Sequence, residues 1–117
     1  MLPNRMQLSR QTEEQLKKLK GYTGITPNVA ARLAFFRSIE SDYRYSSERD
    51  NQKLDGILVL DKITWLGETL QITELALKIL YPKLEDKLLI KAWAAHVEDG
   101  IASIRNHRHL KDLMVSL

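Results

Sequence analysis

The chain has 117 residues, and its 44% hydrophobic and 28% charged residues are typical of one folded domain. It contains no cysteine, which excludes a disulfide framework, a thiol nucleophile and cysteine-based zinc sites. No apolar run approaches the roughly 18 residues of a membrane span, and the start MLPNRMQLSR lacks the apolar core of a signal peptide. We therefore expect a single domain over residues 1–117, soluble, cytoplasmic and without membrane contact.

The basic residues are concentrated at the front of the chain. Residues 1–39 carry seven basic and two acidic side chains, a net charge of +5, whereas the other 78 residues sum to −2. This asymmetry indicates that one face of the protein meets a polyanion. We expect a basic strand-helix-helix part over 1–40 and an apolar helical part over 56–117.

The first predicted elements are a short strand and a helix. Apolar and polar residues alternate over 5–9, which favours a strand with one buried face. From about Thr12 the apolar residues recur with helical spacing, and Glu13 lies four residues before Lys17, a favourable pair on a helix. This first helix is expected to end near Lys20 or Tyr22.

A second helix is predicted to begin at Thr26 and Pro27. Threonine can cap free amides there, and proline fits the first helical position. The helix is apolar over most of its surface, with Arg32 and Arg37 as its solvent-seeking residues. Residues 41–55 are polar and lack periodicity, so they are expected to form a loop.

The segment 57–65 has two open interpretations. It is rich in β-branched and aromatic residues, which favours an extended conformation, but a helix also fits. A turn is expected at 66–68. Apolar residues then recur at i, i+3, i+4, i+7 and i+8 until Pro82, which predicts a helix over about 72–80.

A long helix is predicted from Leu84 towards Asn106. Its middle, LLIKAWAAHV, is apolar nearly all round, and its small residues allow close approach of another helix. Because one chain of this size can hardly cover such a helix, a homo-oligomer built partly on it is predicted. The small residues are Ala92, Ala94, Ala95 and Gly100. A last amphipathic helix is expected over 107–117.

The first candidate site is a basic surface. Lys17, Lys18 and Lys20 on the first helix, with Arg5 and Arg10 before them, can neutralise several DNA phosphates at once. The alternative is a solvated helix face with two pairs of glutamate and lysine. The GITPN turn is a second candidate, because Thr26, Asn28 and the free amides there could hold a phosphate; simple capping is its alternative.

The order strand, helix, turn and helix also resembles the ribbon-helix-helix DNA-binding fold. In that fold polar strand residues enter the major groove, so Arg5, Gln7 and Ser9 would read bases. This resemblance covers residues 5–40 and implies a sequence-specific transcriptional regulator.

No catalytic or metal-binding set is predicted. The chain has no Gly-rich phosphate loop or nucleophile elbow, and its histidines lack the spacing of a zinc site: His96, His107 and His109. Four carboxylates have only helix-surface spacing: Glu85, Asp86, Glu98 and Asp99. Trp65 and Trp93 are expected in the core. We therefore expect a protein that is not an enzyme and uses no cofactor or metal.

Three stretches together resemble the DndE family of DNA sulfur-modification proteins. They are LSRQTEEQLKKLKGYTGITPNVAARLAFFRSIE, the WLGETLQ turn and the Ala-rich long helix. The resemblance spans nearly the whole chain. It implies a mainly helical, non-catalytic subunit that forms a homo-oligomer, a tetramer, and acts in DNA phosphorothioation beside DndC and DndD, the sulfur-transferring and ATPase-like subunits.

The expected role is binding of the duplex backbone, since sulfur replaces a phosphate oxygen and backbone affinity matters more than base reading. Lys17, Lys18 and Lys20 are the first DNA-binding residues, followed by Arg5 and Arg10. An oligomer with separated basic patches is expected to prefer bent or nicked double-stranded DNA. The alternatives are the ribbon-helix-helix regulator and a structural adaptor whose basic face docks an acidic protein.

Overall fold

Helices joined by turns account for most of the described chain. The computed structural model describes residues 1–104, so the helix predicted over 107–117 lies outside the described residues. The elements are, in chain order, β1 (Arg5–Met6), α1 (Arg10–Thr23), α2 (Pro27–Ile39), β2 (Leu60–Asp61), α3 (Lys62–Leu66), a 3-10 turn (Gly67–Thr69), α4 (Leu70–Leu80) and α5 (Asp86–Ile104). The prediction of a mainly helical single domain is confirmed.

The helix α1 starts and stops where its capping residues dictate. The Ser9 hydroxyl accepts a hydrogen bond from the Thr12 amide at 3.1 Å, so the helix begins at Arg10, two residues earlier than predicted. At the other end Gly24 adopts a φ of +78°, and its amide donates to the Lys20 carbonyl at 2.8 Å. Only glycine takes this left-handed conformation without strain, which ends the helix.

A two-residue antiparallel ladder joins the front of the chain to its middle. Arg5 pairs with Asp61 and Met6 with Leu60, so the strand predicted over 5–9 is real but shorter. Each interpretation of 57–65 is partly right. The segment is a strand only at β2, and the Asp61 carboxylate then accepts the Thr64 amide at 2.7 Å and starts α3 at once.

The core lies where α2 packs against α5. A side chain at Gly100 would overlap the backbone of Ala34, so the two helices approach more closely than any larger residue permits. The small residues of α5 are all buried within one chain, and Gly100 is the one that meets Ala34 of α2: Ala92, Ala94, Ala95 and Gly100. The prediction that α5 needs a second copy to cover it is therefore wrong.

Two tryptophans connect this core to α3 and the ladder. Trp65 and Trp93 are buried with their ring centroids 5.6 Å apart in an edge-to-face arrangement. The Trp65 indole N–H donates to the Met6 carbonyl at 2.8 Å, which ties α3 to β1. The prediction that both rings belong to the core is confirmed.

The helix α4 is present as predicted, but its apolar stripe does not face the core. The structure buries Thr73 and Leu77 and leaves Ile72, Leu75 and Ile79 exposed by 57%, 57% and 68%. A stripe of this spacing normally faces the interior of a domain. Here three large apolar side chains lie at the surface of the chain.

Candidate nucleic-acid interface

The helix α1 places its cations on the side that faces away from the core. Leu16 and Leu19 are buried, whereas Arg10, Lys17 and Lys18 are exposed. Residues in a helix turn by about 100° each, so these three cations lie within an arc of about 100° opposite the leucines. They span about 12 Å of helix axis, a length over which duplex DNA carries about seven phosphate charges.

Glu13, one of the two acidic residues of α1, neutralises the positive charge of this surface only in part. Glu13 is buried and accepts the Leu58 amide at 2.9 Å, while its other oxygen lies 3.4 Å from the Lys17 ammonium. The predicted pairing of Glu13 with Lys17 is confirmed. The other pair at this spacing, Glu14 with Lys18, is not formed within residues 1–104, so Lys18 has no carboxylate partner there and Glu14 is an exposed acid.

The last turn of α1 adds a cation at the edge of this surface, about 60° around the helix from Lys17. Lys20 is exposed there, where a cation complements the negative end of the helix dipole. Gly21 is also exposed, and a side chain built on it would meet no atom within 4 Å. Nothing in the described chain therefore obstructs this side of the helix. We call its four cations the α1 basic face: Arg10, Lys17, Lys18 and Lys20.

Arg5 lies outside the α1 basic face, on the two-stranded ladder. It is exposed and sits across from Asp61 in the strand pairing. The hydrogen bond from the Thr64 amide lowers the pKa of the Asp61 carboxyl, and the Arg5 charge adds to this effect. Arg5, like Lys17, therefore has a carboxylate neighbour, whereas Lys18 forms no ion pair within residues 1–104.

A groove beside the start of α1 adds a cation that sequence patterns did not single out. The Arg10 amide donates to the Asp55 carboxylate at 2.8 Å, which lowers the pKa of Asp55. The resulting groove, of about 480 Å³, brings Lys53 near Arg10, with Glu14 and Glu98 also lining it. Lys53 is 43 positions away along the chain, so only the tertiary fold brings it here.

The strand residues are poorly placed to read bases. The Gln7 side-chain amide donates to the Gly56 carbonyl at 2.9 Å. Ser9 is occupied in capping α1, where its hydroxyl also donates to Thr12 at 2.9 Å. Two of the three base readers expected for a ribbon-helix-helix regulator are therefore engaged inside the chain, and Arg5 alone projects freely from the ladder.

The GITPN turn uses its polar groups within the chain. The Thr26 hydroxyl donates to the Asn28 side-chain oxygen at 2.7 Å and forms no cap with α2. The Asn28 amide nitrogen donates in turn to the Thr64 carbonyl at 3.2 Å. The prediction that the Thr26 side chain caps α2 is wrong, and these groups fasten α2 to α3.

The two arginines of α2 are also engaged inside the fold. Arg32 donates from Nε to the Trp65 carbonyl at 2.8 Å and from Nη2 to the Thr64 carbonyl at 3.1 Å. Arg37 donates from Nε to the Ser103 hydroxyl. Arg32 satisfies carbonyls at the end of α3. Both arginines, predicted to seek solvent, are therefore half-buried and bonded within the chain.

A serine, a histidine and an aspartate meet in the core, which sequence spacing did not indicate. The Ser38 hydroxyl lies 2.8 Å from His96 Nδ1 and donates to Asp99 at 2.8 Å. The Ser38 hydroxyl has one proton and donates it to Asp99, so His96 Nδ1 is the donor to Ser38. The other ring nitrogen, His96 Nε2, accepts from the Tyr81 hydroxyl at 2.6 Å. Burial, with a smaller contribution from the Arg44 charge, lowers the pKa of His96 to about 4.

This network is not a nucleophilic triad. In such a triad histidine lies between the nucleophile and the acid, whereas here Ser38 lies between His96 and Asp99. Both nitrogens of His96 are occupied and the ring is fully buried. The arrangement instead joins α2, α5 and the end of α4. Tyr81 also accepts the Tyr45 amide at 2.7 Å, so the network anchors the loop after α2.

Within residues 1–104 no three His, Asp or Glu side chains are grouped so that they could hold a metal ion. In the same residues no helix has the length and apolar character needed to cross a membrane.

The fold and the α1 basic face define a small helical domain suited to a polyanionic partner. Comparison with protein families identifies the family to which this domain belongs. Residues 5–112 match the family described as DNA sulphur modification protein DndE. The chain belongs to the DndE family, and the predicted resemblance is confirmed.

Two solved structures are similar to this chain. One is DndE from Escherichia coli B7A, involved in DNA phosphorothioation modification, with 83% sequence identity and a TM-score of 0.87 over 88% of this chain and 99% of that chain. The other is a DndE G21/24K mutant involved in DNA phosphorothioation, with 80% identity and a TM-score of 0.84 over 89% and 99%. The comparison with curated proteins gave no match. A role in DNA sulfur modification follows from the family.

Proposed function

We propose that this protein is a non-catalytic DNA-binding subunit of a bacterial phosphorothioation complex. The observation that carries the proposal is the α1 basic face, with four exposed cations and a single exposed acid, Glu14, on the helix. The protein acts beside the subunits DndC and DndD, which supply the chemistry. Its own part is to hold the duplex backbone.

Backbone contact suits the reaction that the complex performs. Exchange of a phosphate oxygen for sulfur requires the backbone to be positioned, and contacts to phosphates position a duplex without reading its sequence. Each phosphate neutralised by a lysine or arginine releases a counterion, with a slope of about −0.9 in log K against log salt. Four cations on the α1 basic face therefore predict a slope of about −3 to −4 for each subunit.

We further propose that the protein works as a homo-oligomer, a tetramer, and prefers nicked duplex. Repetition of the α1 basic face multiplies a modest affinity, because the second contact becomes intramolecular. Two separated basic faces suit the two arms of a duplex that bends at a nick, where the bending energy is small. Equal affinity for nicked and intact duplex of identical sequence would refute this preference.

The test of DNA binding is replacement of three lysines by glutamine. The variant Lys17→Gln, Lys18→Gln, Lys20→Gln is expected to bind all sequences more weakly, with a salt slope smaller by about 2.7. The matched control removes the same charge from exposed lysines elsewhere: Lys78→Gln, Lys83→Gln and Lys87→Gln. Titration of DNA with each variant at two salt concentrations measures its affinity and its salt slope.

The outcomes separate the three candidate functions. Weaker binding in the α1 variant alone supports backbone contact by the α1 basic face. Equal losses in both variants indicate net charge only and contradict the assignment of the face. Binding to one sequence, lost when Arg5 is replaced, would indicate the ribbon-helix-helix regulator. If the unmodified protein binds no DNA, the remaining candidate function is a structural adaptor whose basic face docks an acidic protein.

A further inference from the structure

Two exposed apolar side chains lie on the segment that runs into β2, beside the start of α1. Ile57 and Val59 are 77% and 39% exposed, whereas Leu58 and Leu60, which alternate with them, pack against the core. Side chains alternate between the two sides of an extended segment, so burial of the leucines places Ile57 and Val59 on the outer side. We call Ile57 and Val59 the apolar pair. The core accounts for the leucines but not for the apolar pair.

The backbone on both sides of Ile57 is held against the start of α1. The Gly56 amide donates to the Leu8 carbonyl at 2.8 Å, and the Leu58 amide donates to the Glu13 carboxylate at 2.9 Å. A Cβ atom at Gly56 would overlap both of these acceptor groups, so the segment lies directly on this part of the chain. Ile57 therefore projects from a fixed backbone, which lowers the entropy cost of placing it on a ligand.

The apolar pair is close to a cation of the α1 basic face. The Glu13 carboxylate that accepts the Leu58 amide also lies 3.4 Å from the Lys17 ammonium. These two contacts share one carboxylate group, so the Lys17 ammonium lies within about 9 Å of the Leu58 amide, which directly follows Ile57. Phosphates of one DNA strand are about 3.4 Å apart along the helix axis. With Lys17 on a phosphate, the apolar pair is therefore within about three base-pair steps.

A second cation lies towards the other end of the segment. Arg5 is exposed and pairs in the ladder with Asp61, two residues after Val59, and the Asp61 carboxylate is engaged by the Thr64 amide. Cations therefore lie near both ends of a short apolar surface. Charged residues are depleted at the centre of protein interfaces, whereas DNA offers flat base faces between rows of phosphates. The arrangement fits nucleic acid better than the apolar face of a protein.

We propose that the apolar pair recognises the nick in a nicked duplex, with Ile57 packed as a wedge on the face of a base pair beside the strand break. This inference rests on the DNA binding proposed above and names the residue that selects the substrate. Isoleucine is one of the side chains that proteins insert between base pairs, at the cost of unstacking them. Bases that are already partly released cost less to unstack, and a nick interrupts one strand of the stack. The wedge therefore favours nicked over intact duplex.

An apolar contact predicts a selectivity that does not depend on salt. The α1 basic face releases the same counterions on nicked and intact duplex, so added salt weakens both complexes alike. Contact between Ile57 and a base face releases no counterion. Two arms of a bent duplex that reach separate basic faces would instead give a preference that falls as the salt rises. The part of the nick preference that Ile57 provides should be the same at low and high salt.

Replacement of Ile57 by alanine tests the wedge. Ile57→Ala should lower the ratio of nicked to intact affinity by at least about fivefold at both salt concentrations, because it removes most of the buried apolar contact. Affinity for intact duplex of identical sequence should not change. Ile57→Leu keeps an apolar wedge and should keep the ratio. The matched control is Ile63→Ala, since Ile63 is 67% exposed but lies on α3. Fluorescence anisotropy measures the affinities, and circular dichroism verifies folding.

A fluorescent base reports the insertion itself. 2-Aminopurine beside the nick becomes brighter when it is unstacked, so a saturating amount of the unmodified protein should raise its fluorescence. Ile57→Ala at saturation should not. The same base in intact duplex should show no rise with either protein.

The outcomes separate failure of the wedge from failure of DNA binding. A saturated complex without a rise in fluorescence, or an unchanged affinity ratio in Ile57→Ala, would refute the wedge and leave binding by the α1 basic face intact; the apolar pair would then be a surface for a protein partner. Equal losses on nicked and intact duplex, or the same loss in Ile63→Ala, would also refute it. If the unmodified protein binds no duplex, the proposed DNA binding and the wedge are both rejected.

Discussion

Replacement of Gly100 by alanine tests the close approach of α2 and α5, on which the core depends. A Cβ atom at Gly100 would overlap three backbone atoms of Ala34, namely its Cα, carbonyl carbon and carbonyl oxygen. Rotation of a side chain cannot relieve an overlap with backbone. The two helices must therefore separate, and the neighbouring Phe35 and Trp93, both buried, lose packing.

Two effects of opposite sign determine how much the Gly100→Ala replacement changes the free energy of unfolding. Alanine is a better helix former than glycine by about 1 kcal/mol, which favours the variant. Overpacking a core costs about 1–3 kcal/mol and occasionally more. Since the atoms in the way at Gly100 are all backbone, the upper part of this range applies. We expect a net loss of about 2 kcal/mol, or about 1 M in the urea midpoint.

Gly21→Ala is the matched control, because it introduces the same methyl group into a helix. A Cβ atom at Gly21 meets nothing within 4 Å, so only the helix propensity changes and the variant should gain up to about 1 kcal/mol. Urea unfolding followed by circular dichroism measures both variants. If Gly100→Ala is as stable as Gly21→Ala, the conclusion that α2 and α5 are in close contact at Gly100 is contradicted.

Two further predictions concern titration and a buried carboxylate. The pKa of His96 is about 4 in the folded chain and near 6.5 when unfolded, so the unfolded state binds more protons between these values. Stability should therefore be full above pH 6.5, fall by up to about 3 kcal/mol as the pH drops to 4, and change no further through this group. Urea midpoints at several pH values measure this, and a folded His96→Gln variant with the same slope would contradict it. Glu13→Gln should cost about 1 kcal/mol by weakening the bond from the Leu58 amide, seen as faster hydrogen exchange at Leu58. The same variant should bind DNA slightly more tightly, since Lys17 loses its acidic neighbour; weaker binding would argue against Lys17 as a contact.

Local signals predicted the helices well. Pro27 marks the start of α2 and Pro82 follows the end of α4, whereas the start of α1 after Ser9 lies two residues before the predicted position. These signals act through neighbouring backbone groups, so they can be read without knowing the fold. The segment 57–65 was ambiguous because a strand and a helix follow each other there within a few residues.

The candidate site was predictable only in part. Helical spacing indicated that Lys17 and Lys18 face solvent, and the structure exposes both. It did not indicate that Glu13 is buried or that Lys53 comes near Arg10. Both depend on how the loop after α2 returns to α1, and contacts between distant residues leave no periodic signal in a sequence.

Three features could be predicted without the fold: most of the helical segments, the basic character of the front of the chain and the family. Composition is given directly by the residues, and capping and periodicity act through residues that are close together in the chain. Which apolar surfaces are covered depends on the tertiary fold: α5 is buried within its own chain, while α4 leaves Ile72, Leu75 and Ile79 exposed. The physical reason is that a hydrophobic stripe requires burial but does not specify its partner.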